Sequence, residues 1–189
     1  MALTLKDLEP SDWPAFERLF GSSGACGGCW CMSWRTAKGE KWDAIKGDEA
    51  KRRMQALIAA GQVHGVLAFA DGEPVGWCAY DKRPDFAKLD RAPSLACDDA
   101  DQVWSIPCFF IHKAHRNQGV GSALLAHALD SLKQLGATIV EGYPAKPAKD
   151  GKRMPAAFAW TGTRAMFDRA GFALAGNPDG GKQRVRKTL

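Results

Sequence analysis

The chain has 189 residues, of which 46% are hydrophobic and 25% are charged, a balance typical of globular proteins that excludes an intrinsically disordered chain. The first residues, MALTLKDLEP, lack a basic stretch followed by an apolar run, so we expect no signal peptide. No window approaches the roughly 18 apolar residues of a membrane span. The six cysteines do not suggest a disulfide framework, and we therefore expect a cytoplasmic protein.

The net charge of +5 is unevenly distributed along the chain. Residues 1–145 carry 16 basic and 18 acidic side chains, whereas residues 146–189 carry 10 basic and 3 acidic ones. A positive C-terminal quarter can attract a phosphorylated cofactor, an acidic substrate or nucleic acid, and a solvated basic tail would show the same composition. No surface combining basic and aromatic residues stands out, so we do not expect a nucleic-acid reader.

The first predicted elements are a strand and two helices. LTLKDL is predicted to form a short strand, and Ser11 is positioned to cap the helix SDWPAFERLF, which Gly21 ends. A cysteine-rich loop follows. A second helix is predicted from Asp48, as the capping residue, to Gly61.

Three strands are predicted next. VHGVLAFA and PVGWCAYD flank Asp71-Gly72, a strong hairpin signal. Residues 82–101 then form a long connection of the kind that is often functional. The third strand, VWSIPCFFI, is nearly all apolar and is therefore predicted to be central. Since proline cannot donate to a strand ladder, Pro107 predicts a bulge that opens the sheet.

The remaining elements alternate between helices and strands. A loop leads into a helix ended by Gly136, with an apolar face made by Val120, Leu124, Leu125, Ala128, Leu132 and Leu135. ATIVEGYP is the next strand, TGTRAMFDRAGF a helix closed by Gly171, and FALAG and KQRVRKTL one or two last strands. No internal repeat or linker appears, so residues 1–189 are predicted to form a single mixed α/β domain with a strand–helix–strand crossover over residues 103–143.

The most informative stretch is HRNQGVGSALL, where the loop after the central strand enters a helix. Backbone N–H groups at a helix N-terminus attract anions, the two glycines allow a phosphate to approach, and Arg116 can add a charge-assisted contact. A P-loop would need a lysine after Gly121, and a dinucleotide-binding fingerprint would need a glycine where Leu124 stands. The pattern R/Q-x-x-G-x-G/A matches Arg116 to Gly121 at every fixed position.

On this motif, the element order and the ending AMFDRAGF, the chain resembles the GCN5-related N-acetyltransferase (GNAT) superfamily. The motif itself covers residues 108–125, whereas the element order covers nearly the whole chain. The resemblance implies a mixed, mostly antiparallel sheet of six to seven strands, with helices on both faces and a splayed central strand pair. It also implies acetyl-CoA as co-substrate and an amine as acceptor.

The resemblance also assigns roles to residues of the central strand and the glycine turn. Backbone groups of Phe109, Phe110 and Ile111 would pair with the pantetheine arm, and a backbone N–H around Phe110 would stabilise the oxyanion. The pyrophosphate would be held by the amides from Gln118 to Ser122, that is by Gln118, Gly119, Val120, Gly121 and Ser122, and Arg116 and Asn117 would also bind the cofactor. A basic residue within 146–187 would meet the adenosine phosphate.

The chain departs from the family at the proton donor, because Phe167 stands where many relatives have tyrosine. Tyr143 is one substitute, although it is also an ordinary strand-end aromatic, and a thiolate can leave without an acid. Glu141 is the best candidate base because it is a lone acid in an apolar strand, and a structural arginine partner would explain it equally well. Asp101 and His112 are weaker candidates.

The segment GACGGCWCMSW holds Cys26, Cys29 and Cys31. A zinc site normally takes four ligands, and no matching second pair of cysteines or histidines follows. Because the resemblance places this loop over the acceptor side, Cys29, Trp30, Cys31 and Trp34 are expected to line a substrate pocket, with no metal; zinc binding and a redox role are the alternatives.

The sequence therefore predicts an acyltransferase that moves the acetyl group of acetyl-CoA to an amine of a small molecule or peptide by direct attack. The alternative is a non-catalytic acyl-CoA sensor or a zinc-dependent binding module, which the missing tyrosine and the cysteine cluster would suit. The sequence leaves open whether the chain forms a homodimer.

Overall fold

A computed structural model describes residues 2–146, 159–178 and 182–189. It contains one seven-stranded sheet and five α-helices within the described residues. The strands are β1 (Leu3–Asp7), β2 (His64–Ala70), β3 (Glu73–Lys82), β4 (Val103–Ile111), β5 (Ile139–Gly142), β6 (Ala173–Leu174) and β7 (Val185–Thr188). The helices are α1 (Trp13–Phe20), α2 (Trp42–Ile45), α3 (Asp48–Ala59), α4 (Val120–Gln134) and α5 (Arg164–Arg169).

The strand order is β1-β2-β3-β4-β5-β7-β6, and every neighbouring pair is antiparallel except β4 and β5. The parallel pair is joined by α4, as the predicted crossover requires. The mixed, mostly antiparallel architecture is confirmed, and the sheet has the upper number of strands predicted.

Successive residues of the strands point to opposite faces of the sheet and are buried in two separate cores. On one face Val66, Cys78 and Ile106 pack against α4 and α5, and on the other Leu67, Trp77 and Cys108 pack against α1, α3 and the cysteine-rich loop. The prediction of helices on both faces is thus confirmed, and the two cores separate the surroundings of α4 from those of the cysteine-rich loop.

Three local predictions about the helices were wrong. Ser11 lies inside a 3₁₀ turn over Pro10–Asp12, so Asp12 occupies the N-cap position of α1. Gly47 is the N-cap of α3, which makes Asp48 its first residue. Leu135 is the C-cap of α4 and is 48% exposed, because the helix ends before its apolar face completes another turn.

The hairpin and the bulge were predicted correctly. Asp71 and Gly72 both have positive φ angles, 50° and 82°, as a tight two-residue hairpin turn requires. On the other side of β3, Ala79 pairs with Cys108 and Asp81 with Ser105. Two residues of β4, Ile106 and Pro107, therefore face one residue of β3, which is a bulge at the proline.

Candidate active site

The central strand β4 is open along one side of its C-terminal half. Its parallel pairing with β5 extends from Val103 to Ile106, where Gly142 is the last partner. From Pro107 onward the two strands separate, so the sheet splays at the residue where the bulge was predicted. A ligand that needs backbone hydrogen bonds can bind to this free side of β4.

Peptide groups alternate along β4, and the pairing with β3 shows which of them face the open side. The N–H of His112 donates to the carbonyl of Val75 in β3 at 2.9 Å. Two residues earlier Phe110 pairs with Trp77 in the same way, so its peptide groups also face β3. The expectation for Phe110 is therefore corrected, because only Phe109 and Ile111 direct their peptide groups away from β3.

The two open-side residues already contact neighbouring groups. The N–H of Phe109 donates to the carbonyl oxygen of Trp160 at 2.6 Å. The carbonyl of Ile111 accepts a hydrogen bond from Nε of Arg116 at 3.1 Å. Arg116, predicted as a phosphate ligand, therefore also ties the glycine turn to the end of β4.

The glycine turn has the backbone geometry of an anion site. Asn117 and Gly119 have φ angles of 60° and 82°, and Gly119 is the N-cap of α4. The N–H of Ala123 donates to the carbonyl of Gly119 at 3.0 Å and closes the first helical turn. Consequently the N–H groups of the three residues before Ala123 have no acceptor within the helix and are available to an anion.

Gly121 lies where a side chain would be crowded. A Cβ atom there would approach Ile111 Cδ1 to 3.3 Å and Met166 Sδ to 3.4 Å. Gln118, by contrast, is exposed and donates from Nε2 to the carbonyl of Ala114 at 2.8 Å, which stabilises the turn. The turn residues predicted from Arg116 to Ser122 thus lie together at the open end of β4.

A groove of about 300 Å³ continues from the glycine turn between α4 and α5. It is lined by Ser122, Leu125, Leu129, Lys133, Met166 and Arg169. Among the described basic residues of the C-terminal quarter, Arg169 is the one that lines this groove. The predicted basic contact to an adenosine phosphate also covered residues 147–158, which lie outside the described residues.

Glu141 is fully buried and bound by three arginines. It accepts hydrogen bonds from Arg83 at 3.3 Å, from Arg184 at 2.5 Å and from Arg186 at 2.7 and 2.9 Å. The sequence left open whether Glu141 is functional or paired with a structural arginine. Arginine partners are present, and they come from two distant parts of the chain.

Tyr143 belongs to the same buried network. Its hydroxyl lies 2.6 Å from Ser105 Oγ, 3.0 Å from Nη1 of Arg83 and 3.1 Å from Oε2 of Glu141. Burial, followed by the negative charge of Glu141, raises the pKa of Tyr143. The two predicted catalytic side chains are therefore brought together, and sequence reasoning missed their partners Arg83 and Ser105; Ser105, a hydroxyl in an apolar strand, was the available signal.

Phe167 is also fully buried and lies where β4 and β5 separate. A Cβ on Gly142 would come within 2.2 Å of its ring, and the ring packs edge-on against Phe109 at a centroid distance of 6.2 Å. Phe167, which the sequence places at the position of a family tyrosine, therefore lies at the splay and carries no hydroxyl.

The predicted pocket residues of the cysteine-rich loop have different environments. Trp30 is a core residue that stacks on Phe20 at 5.6 Å and covers Gly24. Burial raises the pKa of Cys29 to about 11. Trp34 packs 6.4 Å from Tyr143, so it lies beside the buried network.

Cys31 and Cys108 form a buried thiol pair on the same face. Hydrogen bonding with the Cys108 thiol, reinforced by the Trp77 indole N–H at 3.2 Å, lowers the pKa of Cys31. Cys108 lies at the bulge of β4. All six cysteines are free, and within residues 2–146, 159–178 and 182–189 no group of three or more metal-binding side chains is found.

Comparisons with known proteins give the family. The sequence model described as the acetyltransferase (GNAT) family matches residues 31–148, more than half of the chain. The chain therefore belongs to this family. No curated protein sequence is similar enough to be recognised as a relative.

Solved structures with low sequence identity share the fold. The PaiA N-acetyltransferase of Thermoplasma acidophilum, solved with coenzyme A, is 14% identical, with a TM-score of 0.59 and full coverage of both chains. A phosphinothricin acetyltransferase of Sinorhizobium meliloti, solved with acetyl-CoA, is 15% identical, with a TM-score of 0.58, and the alignment covers 100% of this chain and 89% of that one. The ribosomal-protein-S18-alanine N-acetyltransferase of Escherichia coli is 13% identical, with a TM-score of 0.52, and the alignment covers 100% of this chain and 93% of that one.

Proposed function

We propose that this acetyltransferase transfers the acetyl group of acetyl-CoA directly to the amine of a small molecule or peptide. The observation that carries the proposal is the side of β4 beyond Pro107 that β5 no longer pairs with, which leads to the N–H groups at the start of α4 that have no acceptor within the helix. The first can bind an amide-containing arm and the second a pyrophosphate. Acetyl-CoA supplies the activated acetyl group when bound, and we propose that residues 1–189 form a single domain for this reaction.

The residues that hold acetyl-CoA follow from these two surfaces. Phe109 and Ile111 offer the backbone groups for the pantetheine arm. The amides from Gln118 to Ser122 receive the pyrophosphate, and the groove lined by Lys133 and Arg169 extends beyond them. The crowding around Gly121 fits this assignment, since a side chain there would fill space between α4 and the end of β4.

We propose the backbone N–H of Phe109, and not that of Phe110, as the oxyanion donor. The N–H of Phe109 is directed into the splay and donates to the Trp160 carbonyl, which shows that a carbonyl oxygen can lie there. During transfer this N–H would instead donate to the thioester oxygen as negative charge develops on it. Phe110 serves by packing, since its ring lies 5.2 Å from that of Phe20.

Tyr143 is our candidate proton donor to the leaving thiolate because it carries a phenol O–H directly after Gly142, the last residue of β5 that pairs with β4. Burial raises its pKa and so weakens it as an acid. Glu141 orients Tyr143 through their 3.1 Å hydrogen bond. Both oxygens of the Glu141 carboxylate are occupied by guanidinium groups, Oε2 by Arg83 and Oε1 by Arg184 and Arg186, so we favour a positioning role for Glu141 over the role of general base.

A thermal melt with and without acetyl-CoA tests the binding half of the proposal. Acetyl-CoA at about 100 times its dissociation constant should add about 2.7 kcal/mol, which raises the midpoint by roughly 5–10 °C. No shift at millimolar acetyl-CoA would refute the proposal. A shift without release of coenzyme A from any amine would favour the acyl-CoA sensor instead.

Initial-rate kinetics test the direct transfer. Double-reciprocal plots at several acceptor concentrations should intersect, because both substrates must be bound together. Parallel lines would indicate a covalent acetyl-enzyme, for which Cys31 would be the first nucleophile to examine. A Cys31→Ser variant separates the two mechanisms. With direct transfer its double-reciprocal plots still intersect, whereas a mechanism through acetylated Cys31 would lose its activity.

We also propose that the enzyme works in the cytoplasm. All six cysteines are free thiols, as expected in a reducing compartment. Within the described part of the chain, no helix is long and apolar enough to cross a membrane.

A further inference from the structure

An aromatic wall adjoins the open side of β4 on the face of the cysteine-rich loop. The ring of Trp34 lies 6.4 Å from Tyr143 and 6.1 Å from Trp160. The carbonyl of Trp160 lies at the splay, where it accepts a hydrogen bond from the N–H of Phe109. At 36% exposure Trp160 is one of two large hydrophobic side chains that the described structure leaves this open to solvent.

Two lysines converge on this wall. Lys88 Nζ lies 5.8 Å from the centroid of the Trp34 ring, and Lys182 Nζ lies 5.4 Å from it and 5.3 Å from that of Trp160. Burial lowers the pKa of both lysines, and for Lys182 the charge of Lys88 adds to this effect. Two half-buried ammonium groups, one of which lowers the pKa of the other, would be stabilised by an anion bound between them.

The described residues supply no such anion. Lys88 donates to Ser33 Oγ at 3.0 Å, and neither lysine meets a carboxylate in the part of the chain that the structure describes. Arg91, whose charge also lowers the pKa of Lys88, donates to the carbonyls of Thr36 and Ala37 and to Oγ1 of Thr36. Arg83, Arg184 and Arg186, by contrast, are all paired with Glu141.

Trp34 provides a third donor beside the two lysines. Its side chain is 96% buried, since its exposed fraction is 4%, and its indole N–H has no hydrogen-bond partner among the described residues. Buried N–H groups are rarely left unpaired in folded proteins, so the indole N–H calls for an acceptor that the described residues do not supply.

We infer that Lys88, Lys182 and the Trp34 indole bind an anionic oxygen group of the acceptor, so that the acceptor is an amine that also carries a carboxylate. The inference deepens the proposed function and depends on it for the reaction, but binding alone can test it. The Trp160 ring covers the apolar part of the same molecule. The acceptor class is therefore that of amino acids and peptides with a free carboxyl group.

The phosphates of acetyl-CoA are a less suitable source of this anion. The glycine turn leads into α4, whose residues pack in the core with Val66 and Ile106. Trp34 is buried in the other core, with Trp77 and Tyr143. The Lys88–Lys182 cluster and the pyrophosphate site thus lie on opposite faces of the sheet.

The test compares each of the twenty amino acids with its carboxamide, which removes the charge and keeps the amine. We expect one or more amino acids to exceed their carboxamides in kcat/KM by at least tenfold with the unmodified enzyme. In Lys88→Met and Lys182→Met this preference should fall about tenfold, the size of one charge-assisted hydrogen bond. The KM for acetyl-CoA should stay within twofold.

Two further variants serve as controls. Lys41→Met removes an exposed positive charge elsewhere and should leave the preference unchanged. Trp34→Phe keeps an aromatic ring but removes the N–H, and it should weaken amino acids more than carboxamides. Equal losses for both substrate series would overturn the inference, as would a raised KM for acetyl-CoA alone, which would make the lysines a phosphate site.

Thermal melts separate this inference from the proposed function. Stabilisation by amino acids but not by their carboxamides, lost in Lys182→Met, would support the anion site even if acetyl-CoA had no effect and the transferase proposal failed. Stabilisation by acetyl-CoA, with no amino acid bound or acetylated in preference to its carboxamide, would retain the transferase and refute the carboxylate-bearing acceptor.

Discussion

Replacing Glu141 by glutamine removes the negative charge from a carboxylate that three arginines bind. Glutamine keeps the size of the side chain, so the change tests charge and not packing. Arg83, which is itself fully buried, loses a charged partner, and so does Arg184, which is 11% exposed at its side chain. Breaking a buried ion pair from one side typically costs about 3–5 kcal/mol of unfolding free energy.

The remaining partners set the expected value at the lower end of this range. Arg186 keeps both oxygens of Asp99 at 2.7 Å, and Arg83 keeps Asp90 and the Leu95 carbonyl at 3.0 and 2.9 Å. We therefore expect a loss of about 3 kcal/mol. For a chain of this size it lowers the midpoint of thermal unfolding by roughly 6–12 °C.

Calorimetry of Glu141→Gln beside Asp99→Asn measures this effect. Asp99 is 31% exposed and bonds only Arg186 in the network, so its variant should lose clearly less stability. A shift of the Glu141→Gln midpoint by less than about 2 °C would refute the reasoning that the carboxylate holds the three guanidinium groups.

Turnover of the same variant distinguishes a positioning role from that of a base. If Glu141 is the base, kcat falls at least tenfold even far below the unfolding midpoint, with acetyl-CoA affinity intact. If it positions Tyr143 and the arginines, the folded variant retains more than a tenth of its kcat at 15 °C. The raised Tyr143 pKa would then decrease, because the negative charge that helps to raise it is gone.

Three further predictions address other parts of the structure. The hydrogen bond from His64 to Asp81 raises the pKa of His64 above 6.5, so the stability that this pair contributes is full below pH 6.5 and is lost as the pH rises through the raised pKa. The melting midpoint of His64→Gln should therefore differ from that of the parent at pH 6 and converge with it by pH 9. A difference that stays constant with pH would contradict this. Gly121→Val should raise the KM for acetyl-CoA about tenfold by crowding Ile111; an unchanged KM would remove the turn from the cofactor site. In urea titrations, Leu132→Ala should cost about 2–5 kcal/mol, and Leu135→Ala, at a half-exposed position, less than 1 kcal/mol; equal losses would contradict the assigned face of α4.

Local patterns were sufficient to predict the strands, the hairpin and the bulge. The reason is visible at Pro107, where one missing N–H both interrupts the ladder and marks the splay. The face of α4 was predicted except at Leu135, because periodicity does not show where a helix ends. Capping failed at Ser11, since a preceding 3₁₀ turn shifted the start of α1 by one residue.

The site depended on contacts between distant parts of the chain, and these the sequence did not show. Arg83 follows β3, whereas Arg184 and Arg186 lie about a hundred residues later, and only the sheet order brings them to Glu141 in β5. The direction of the Phe110 peptide likewise depends on its register with Trp77. Neither fact can be read from spacing, because a one-residue change of register would reverse both.

The basic C-terminal quarter illustrates how much this long-range pairing changes the meaning of a charge count. As composition, KQRVRKTL suggested either a ligand-binding segment or a solvated tail. In the structure its central residues form β7, inserted between β5 and β6, where Arg184 and Arg186 neutralise Glu141 and Asp99. The positive charge that remains for a ligand is therefore smaller and local. Lys182, which precedes the strand, meets no carboxylate among the described residues and lies beside Trp34 and Trp160, and we therefore propose it as the residue of the segment that selects the acceptor.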